Sequence, residues 1–311
     1  MHSTAQFNHR SSGSPHSCLV LALNPSIDAE WRLDDVLWEE KNNVQSERRW
    51  AGGKGINVAR WLKHLGGKPR LLLPLGGNTG NELAGYLRTE RIPSKIIRLH
   101  QPSRVNVIVT TRKGRQMRFN PLGPTIAARE WASLLRTVEG ELARTSLLVL
   151  SGSLPRGLPV NVYASLIRLA HRFGVRTLLD CDGAPLTAAL AARPFLVKPN
   201  DHELAGWWGK PLRSEADILS AACALSRKAR SWILVSRGGQ RSLLVNEPKD
   251  FHRFSSPRRV KPRNTVGAGD ALLAAVARAI QLGRKPEEWL DQGLEIGTLA
   301  TQLEPGQLPS G

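Results

Sequence analysis

From Leu71 onward, short apolar runs alternate with stretches of helical period, and this alternation leaves few architectures open. Residues 70–75, 147–150, 175–179, 195–197 and 232–235 read as strands with apolar side chains on both faces. Segments 80–90, 129–143, 160–173, 185–192 and 214–229 between them carry a helical pattern. A strand that is apolar on both faces must be covered twice, and a helix after each strand returns the chain to lay the next one parallel. The expected class is therefore α/β, with a mostly parallel central sheet between helical layers. Residues 18–23 form one more such run, ending at Asn24-Pro25. Ligands of these sheets bind beyond the carboxyl ends of the strands, where this chain places Asn24, Ser151, Asp180, Lys198 and Ser236.

Two stretches break the alternation. Residues 28–50 carry Trp31, Trp38 and Trp50 among charges without a helical period, and residues 104–119 read as a hairpin turning at Lys113-Gly114. Together they predict a small separate sheet placed as a lid. Residues 1–16 are polar and read as a flexible tail, leaving 17–311 as one domain.

The charge narrows the ligand class. Forty-four Lys and Arg against 26 Asp and Glu give +18, which suits phosphorylated metabolites, nucleic acid or an anionic membrane surface. The basic residues are dispersed, so a generally basic surface explains most of the excess. No apolar run is long enough for a membrane span, and residues 1–17 lack the apolar core of a signal peptide. Three cysteines without a C-x-x-C pair suggest neither a disulfide framework nor a zinc site, and fit a reducing cytoplasm.

The most chemically suggestive stretch is Asn264-Thr265-Val266-Gly267-Ala268-Gly269-Asp270, which runs directly into an apolar helix. Free N–H groups at the positive end of a helix make an anion site. A carboxylate at its mouth suits phosphoryl transfer, in which Asp270 takes a hydroxyl proton while the turn holds the moving group. Alone, the motif is equally an ordinary helix start. Gly52-Gly53-Lys54-Gly55 lacks the P-loop pattern but allows backbone approach to a ligand, with Lys54 as a point charge and Asn57 one turn on; a solvated lysine at a helix entry reads the same. Asn200 and Glu203, three apart on one helical face, either hold a hydrated Mg²⁺ or form a capping box. Ser236-Arg237-Gly238-Gly239 lines a nucleotide cleft or is a plain turn, and Arg258, Arg259, Lys261 and Arg263 attract polyphosphate or solvent.

Taken together, the motifs resemble the ribokinase/PfkB-type carbohydrate kinases, in particular the phosphosugar branch of 1-phosphofructokinase and tagatose-6-phosphate kinase. The resemblance spans residues 18–305 and rests on six stretches in order: 23–28, 51–57, 104–107, 151–155, 197–200 with Glu203, and 265–270. It implies a ribokinase-like three-layer fold with a small β-sheet lid, ATP and Mg²⁺, and a homodimer formed through the lid. It makes Asp270 the base, with Gly267, Ala268 and Gly269 as the anion hole. It assigns Asp28, Gly53, Lys54, Asn57, Arg104 and Asn106 to the sugar phosphate. Lys198, Ser236, Gly238, Gly267 and Gly269 fall to the nucleotide, and Asn200 and Glu203 to the metal through water. The implied reaction is phosphorylation of fructose 1-phosphate to fructose 1,6-bisphosphate, with tagatose 6-phosphate or fructose 6-phosphate as the alternative acceptor. A weakly active binder of sugar phosphate or nucleic acid is the alternative of another class; intact Lys54, Glu203 and Asp270 argue against it. Asn264, Arg241 and Ala275 depart from the family pattern without removing any of these groups.

Overall fold

Burial on both faces is what the strand sequences demanded, and the computed structural model meets it with helices on each side of one long sheet. The structure describes residues 17–309; the tail expected over 1–16 lies outside them. In chain order the elements are β1 (Ser17–Leu21), β2 (Ser26–Leu33), β3 (Ser46–Gly52), α1 (Lys54–His64), β4 (Lys68–Gly76), α2 (Gly77–Thr89), β5 (Ser94–Leu99), β6 (Arg104–Thr111), β7 (Gln116–Phe119), α3 (Ala128–Leu142), β8 (Leu147–Ser151), α4 (Val162–Arg172), β9 (Arg176–Asp180), α5 (Gly183–Leu190), β10 (Leu196–Val197), α6 (Asp201–Trp208), α7 (Glu215–Ala229), β11 (Trp232–Val235), β12 (Ser242–Asn246), β13 (Phe251–Ser255), α8 (Ala268–Gln281) and α9 (Pro286–Ala300).

The large sheet has the order β13-β12-β11-β10-β9-β8-β1-β4-β5. Its strands from β5 to β11 are parallel, and β12 and β13 close one edge antiparallel. Alternation along each strand feeds two cores. Val20, Leu71, Leu73 and Val149 face α1, α2, α8 and α9, whereas Leu19, Leu21, Leu148 and Leu150 face α3, α4, α5 and α7. Each such side chain contributes about 1.5–3 kcal/mol by leaving water, so the parallel register is held from both sides.

The smaller sheet, of order β3-β2-β6-β7, is built from the two excursions. Its parallel β2–β6 pairing sets Ser26 opposite Arg104 and Asp28 opposite Asn106. Buried Glu30 ties it together, accepting from Arg32, Arg48 and Thr110. Of the three tryptophans, Trp50 is buried under Arg48 and beside Gly306, while Trp38 stands 77 % exposed on the loop between β2 and β3.

Some boundaries differ from expectation. The smaller sheet runs past the expected limit at residue 50: Ala51 and Gly52 end β3, because they pair with Ile27 and Ser26 of β2. A Cβ on Gly52 would sit 2.1 Å from the Asp28 carboxyl carbon, so the strand tolerates only glycine there. β13 was not expected at all: its His252, Arg253 and Ser255 give it no apolar alternation.

Candidate active site

Seven parallel strands point their carboxyl ends at one edge, and the polar residues that follow them converge there. Asn24, Ser151, Asp180, Lys198 and Ser236 line a cleft of about 1030 Å³, closed above by the smaller sheet and at its base by the N-termini of α1 and α8. Every residue given a role from sequence lines this one cleft: Asp28, Gly53, Lys54, Asn57, Arg104, Asn106, Lys198, Asn200, Glu203, Ser236, Gly238, Gly267, Ala268, Gly269 and Asp270.

At its base, Gly267 caps α8 in the left-handed region, at φ 80°. That conformation turns the chain sharply and brings the first turn of α8 to the cleft, with the Ala268 N–H also reaching the Thr265 carbonyl at 3.5 Å. The turn is held by Asn264, whose Oδ1 accepts from the Val266 N–H at 2.8 Å. Asp270 follows, only 6 % exposed, with Oδ2 accepting from Asn57 Nδ2 at 2.8 Å. Asn57 is itself fixed by Arg60, which donates to its Oδ1 at 3.1 Å and grips Glu90 through two bonds of 2.7 Å. Burial and the neighbouring Asp180 carboxylate push Asp270 up to about 7, against the pull of Lys54, Asn57 and Lys198.

Asp180 was not given a role from sequence, yet it is the electrostatic centre of the site. It is 1 % exposed at the end of β9, with Lys54 Nζ at 3.1 Å and Lys198 Nζ at 3.4 Å from the same oxygen. Burial opposes its ionisation, but the two lysines outweigh this and hold its pKa below the ordinary value. Lys54 also reaches Glu203 at 3.5 Å; burial works against its charge, and Asp180, Glu203 and Asp270 more than restore it. A Cβ on Gly269 would lie 3.5 Å from Lys198 Nζ, so this ammonium sits beside the start of α8. The cleft thus brings two lysines and a helix N-terminus to one place, the combination that attracts phosphate groups.

Under the smaller sheet, Asp28 Oδ1 accepts from Ser26 and Asn106, both at 2.8 Å. Burial raises its pKa, and those two bonds and Arg104 moderate the rise. Arg104 is anchored by main-chain carbonyls, Pro121 and Asn24, each at 2.9 Å, rather than by a carboxylate. Its Nε is buried without a partner, as are Asn106 Oδ1 and Asn24 Oδ1. Three unpaired buried polar atoms around one cavity are what a polar ligand would satisfy. Arg118, on β7, and Asn120, just after it, line the same space and had no sequence signal.

On the far side, Ser236 and Gly238 face the cleft, while Arg237 folds back to the Arg241 carbonyl at 3.1 Å. Arg241 turns outward to Glu215 at 2.9 Å, so its departure from the family pattern leaves the cleft clear. Asn200 and Glu203 form the capping box of α6: Asn200 Oδ1 accepts from the Glu203 N–H at 2.7 Å, and Glu203 Oε2 from the Asn200 N–H at 2.8 Å. The capping arrangement is therefore real, and it leaves Glu203 Oε1 directed to Lys54 in the cleft. Among the described residues no cluster of three or more His, Cys, Asp or Glu is suited to hold a metal alone.

The chain is similar to known proteins over nearly its whole length. The chain is 34 % identical over 301 residues to a 1-phosphofructokinase of Xanthomonas campestris, covering 94 % of this chain and 91 % of that one. It is 31 % identical over 294 residues to a tagatose-6-phosphate kinase of Staphylococcus epidermidis, covering 93 % and 94 %. The fold superposes on Escherichia coli phosphofructokinase-2, solved in complex with potassium, with a TM-score of 0.87 at 32 % identity over 94 % of both chains. The model of the pfkB family carbohydrate kinases matches residues 23–310, and this chain, with its ribokinase-like fold, is a member of that family of phosphotransferases.

Proposed function

We propose that this kinase moves the γ-phosphoryl group of ATP to a hydroxyl of a ketohexose phosphate, with fructose 1-phosphate as the first choice of acceptor and fructose 1,6-bisphosphate as its product. The observation that carries the reading is the buried Asp270 at the start of α8, bonded to an amide and not to a cation. A carboxylate with its pKa brought to about 7 is matched to taking a proton near neutral pH. Ionised Asp270 removes the acceptor's hydroxyl proton as that oxygen attacks the γ-phosphorus. The N–H groups of Gly267, Ala268 and Gly269 face the charge carried on the transferring oxygens.

The Asp28 carboxylate and the unpartnered Asn106 Oδ1 accept hydrogen bonds from sugar hydroxyls, with Gly53 allowing close backbone approach. Arg104 and Lys54 meet the acceptor's phosphate, Asn57 holds Asp270 in orientation, and Lys198, Ser236 and Gly238 hold the nucleotide. The donor set fits a magnesium ion that keeps most of its waters and its phosphate ligands: Glu203 offers one carboxylate oxygen to the cleft and Asn200 stands beside it. Bound with ATP, such an ion would neutralise phosphate charge.

Tagatose 6-phosphate is the second acceptor to consider, since a relative named for that substrate is nearly as similar; fructose 6-phosphate follows. A binder without turnover, for sugar phosphate or for nucleic acid, would have no use for a buried base. The three cysteines are free, which fits the cytoplasm, and no helix among the described residues is long and apolar enough to cross a membrane. Exposed Leu37 and Trp38 on the β2–β3 loop support a homodimer through the smaller sheet, which then acts as a lid; Trp38→Ser would shift sedimentation toward the monomer.

The deciding experiment follows ADP release over a panel of sugars and sugar phosphates. The reading expects turnover with one ketohexose phosphate far above the unphosphorylated sugars. Turnover with no phosphosugar would sink it, and preference for a free sugar would move the protein to another branch of the family.

A further inference from the structure

A second cavity, of about 420 Å³, opens at the other edge of the large sheet, below the amino ends of β9, β10 and β11. His171, Arg176, Arg193, Arg230 and Lys249 line it, and no carboxylate does. Among the described residues none of the five forms an ion pair with an acidic side chain, whereas about half of the other arginines do. Two of the cations are held instead by aromatic faces. The Arg176 guanidinium lies 5.3 Å above the Phe195 ring, and Lys249 Nζ 5.4 Å above the Trp232 ring. Trp232 is fixed from behind by Trp289, with ring centroids 5.2 Å apart. An aromatic face orients a cation without cancelling its charge. The result is a concave positive surface held in shape with no internal counter-ion.

A second observation points to a ligand. Asn246, at the end of β12, lines this cavity, is 5 % exposed, and its side-chain oxygen is buried with no hydrogen-bond partner. An amide left unpaired at such burial has lost its water without a replacement, and it can present either its oxygen or its NH₂ end to a bound molecule.

The geometry points to a second anion site, for a small phosphorylated molecule, separate from the catalytic cleft. The cavity has the size of a metabolite pocket and is concave, which disfavours a duplex or a membrane surface. Arg176 and Asp180 stand at opposite ends of β9, so about 13 Å of strand separates the two sites. The inference does not depend on which sugar phosphate the kinase uses.

Inorganic pyrophosphate is a suitable probe, titrated into the full chain by calorimetry at physiological ionic strength. The site predicts a binding component that persists in Lys54→Met, which weakens only the cleft. In Arg176→Ala/Arg230→Ala that component should weaken by roughly tenfold or more. Asn246→Asp keeps the shape of the side chain but adds a negative charge, and it should abolish the same component while the far-ultraviolet spectrum stays unchanged. Trp232 emission should respond to pyrophosphate in the wild type and not in Asn246→Asp. Identical titrations of the wild type and both amino-edge variants would overturn the proposal. So would sulfate binding as tightly as pyrophosphate, which would mean diffuse counter-ion attraction only, or displacement of pyrophosphate by duplex DNA at lower concentration.

Discussion

The two ends of β9, β10 and β11 both collect cations, but they hold them differently. At the carboxyl end, Lys54 and Lys198 share one oxygen of buried Asp180. At the amino end, Arg176 and Lys249 lie on aromatic rings and have no acid. The first arrangement balances charge internally, so its lysines are stable when the cleft holds no phosphate and can turn toward one that arrives. The second is positive at all times, at little cost because its charged groups stay near water. The catalytic end therefore depends on its carboxylate for stability, and the amino end does not depend on any.

Removing Asp180 breaks this contrast most severely. Asp180→Ala leaves Lys198, itself 4 % exposed, as an uncompensated buried charge. Losing one member of such a pair costs about 3–5 kcal/mol, to be read as a lower midpoint in urea unfolding. An unchanged midpoint would mean that Lys198 finds water or another acid.

Lys54→Met should act on binding more than on chemistry. A charged hydrogen bond is worth about 1.5–3 kcal/mol, so KM for the phosphosugar should rise roughly 10- to 100-fold while kcat falls less. Equal losses in both would show that Lys54 touches the phosphoryl group only in the transition state.

The pH dependence sharpens the account of Asp270. The base works ionised, so kcat/KM should fall about tenfold per pH unit below about 7. Stability runs the other way. The folded pKa lies above the ordinary 3.8, so the folded state holds this proton more tightly than the unfolded one. The corresponding stability is full at acid pH and is lost as pH rises through about 7. Asp270→Asn, which cannot ionise, should therefore gain Tm over the wild type at about pH 8 and gain nothing at about pH 4. A gain at both, or at neither, would place the cause elsewhere than in ionisation.

The smallest effect belongs to the amino edge. Arg176→Ala removes a cation resting on Phe195 and should cost under about 1 kcal/mol. A larger loss would show a structural partner for Arg176 and narrow the difference between the two edges.

Much of this molecule is legible in its sequence because its strands are apolar on both faces, a pattern with few solutions. The same logic fails at the edge. β13, with Arg253 and Ser255 bonded to Asp291, is a polar edge strand and has no apolar signature. The glycine turns and Asp270 are legible because a sharp turn into a helix has its own residue chemistry. Asp180 is not, because an acid at a strand end looks like any other loop residue. Its meaning comes from Lys54 on α1 and Lys198 after β10, which are far away in sequence. Asp28 and Asn106 likewise became a pair only through the β2–β6 register. Asn200 and Glu203 carried two readings from the start, and the structure satisfies the cap while leaving one Glu203 oxygen in the cleft.

The most direct test of the central claim is single-turnover phosphoryl transfer by Asp270→Asn, with the acceptor found in the substrate panel. Asparagine keeps the shape and the contact with Asn57 but cannot take a proton. The rate of the chemical step should fall by about 10²- to 10⁴-fold, with acceptor affinity within about threefold of the wild type. A chemical step slowed less than about tenfold would contradict the account and assign the proton to another group.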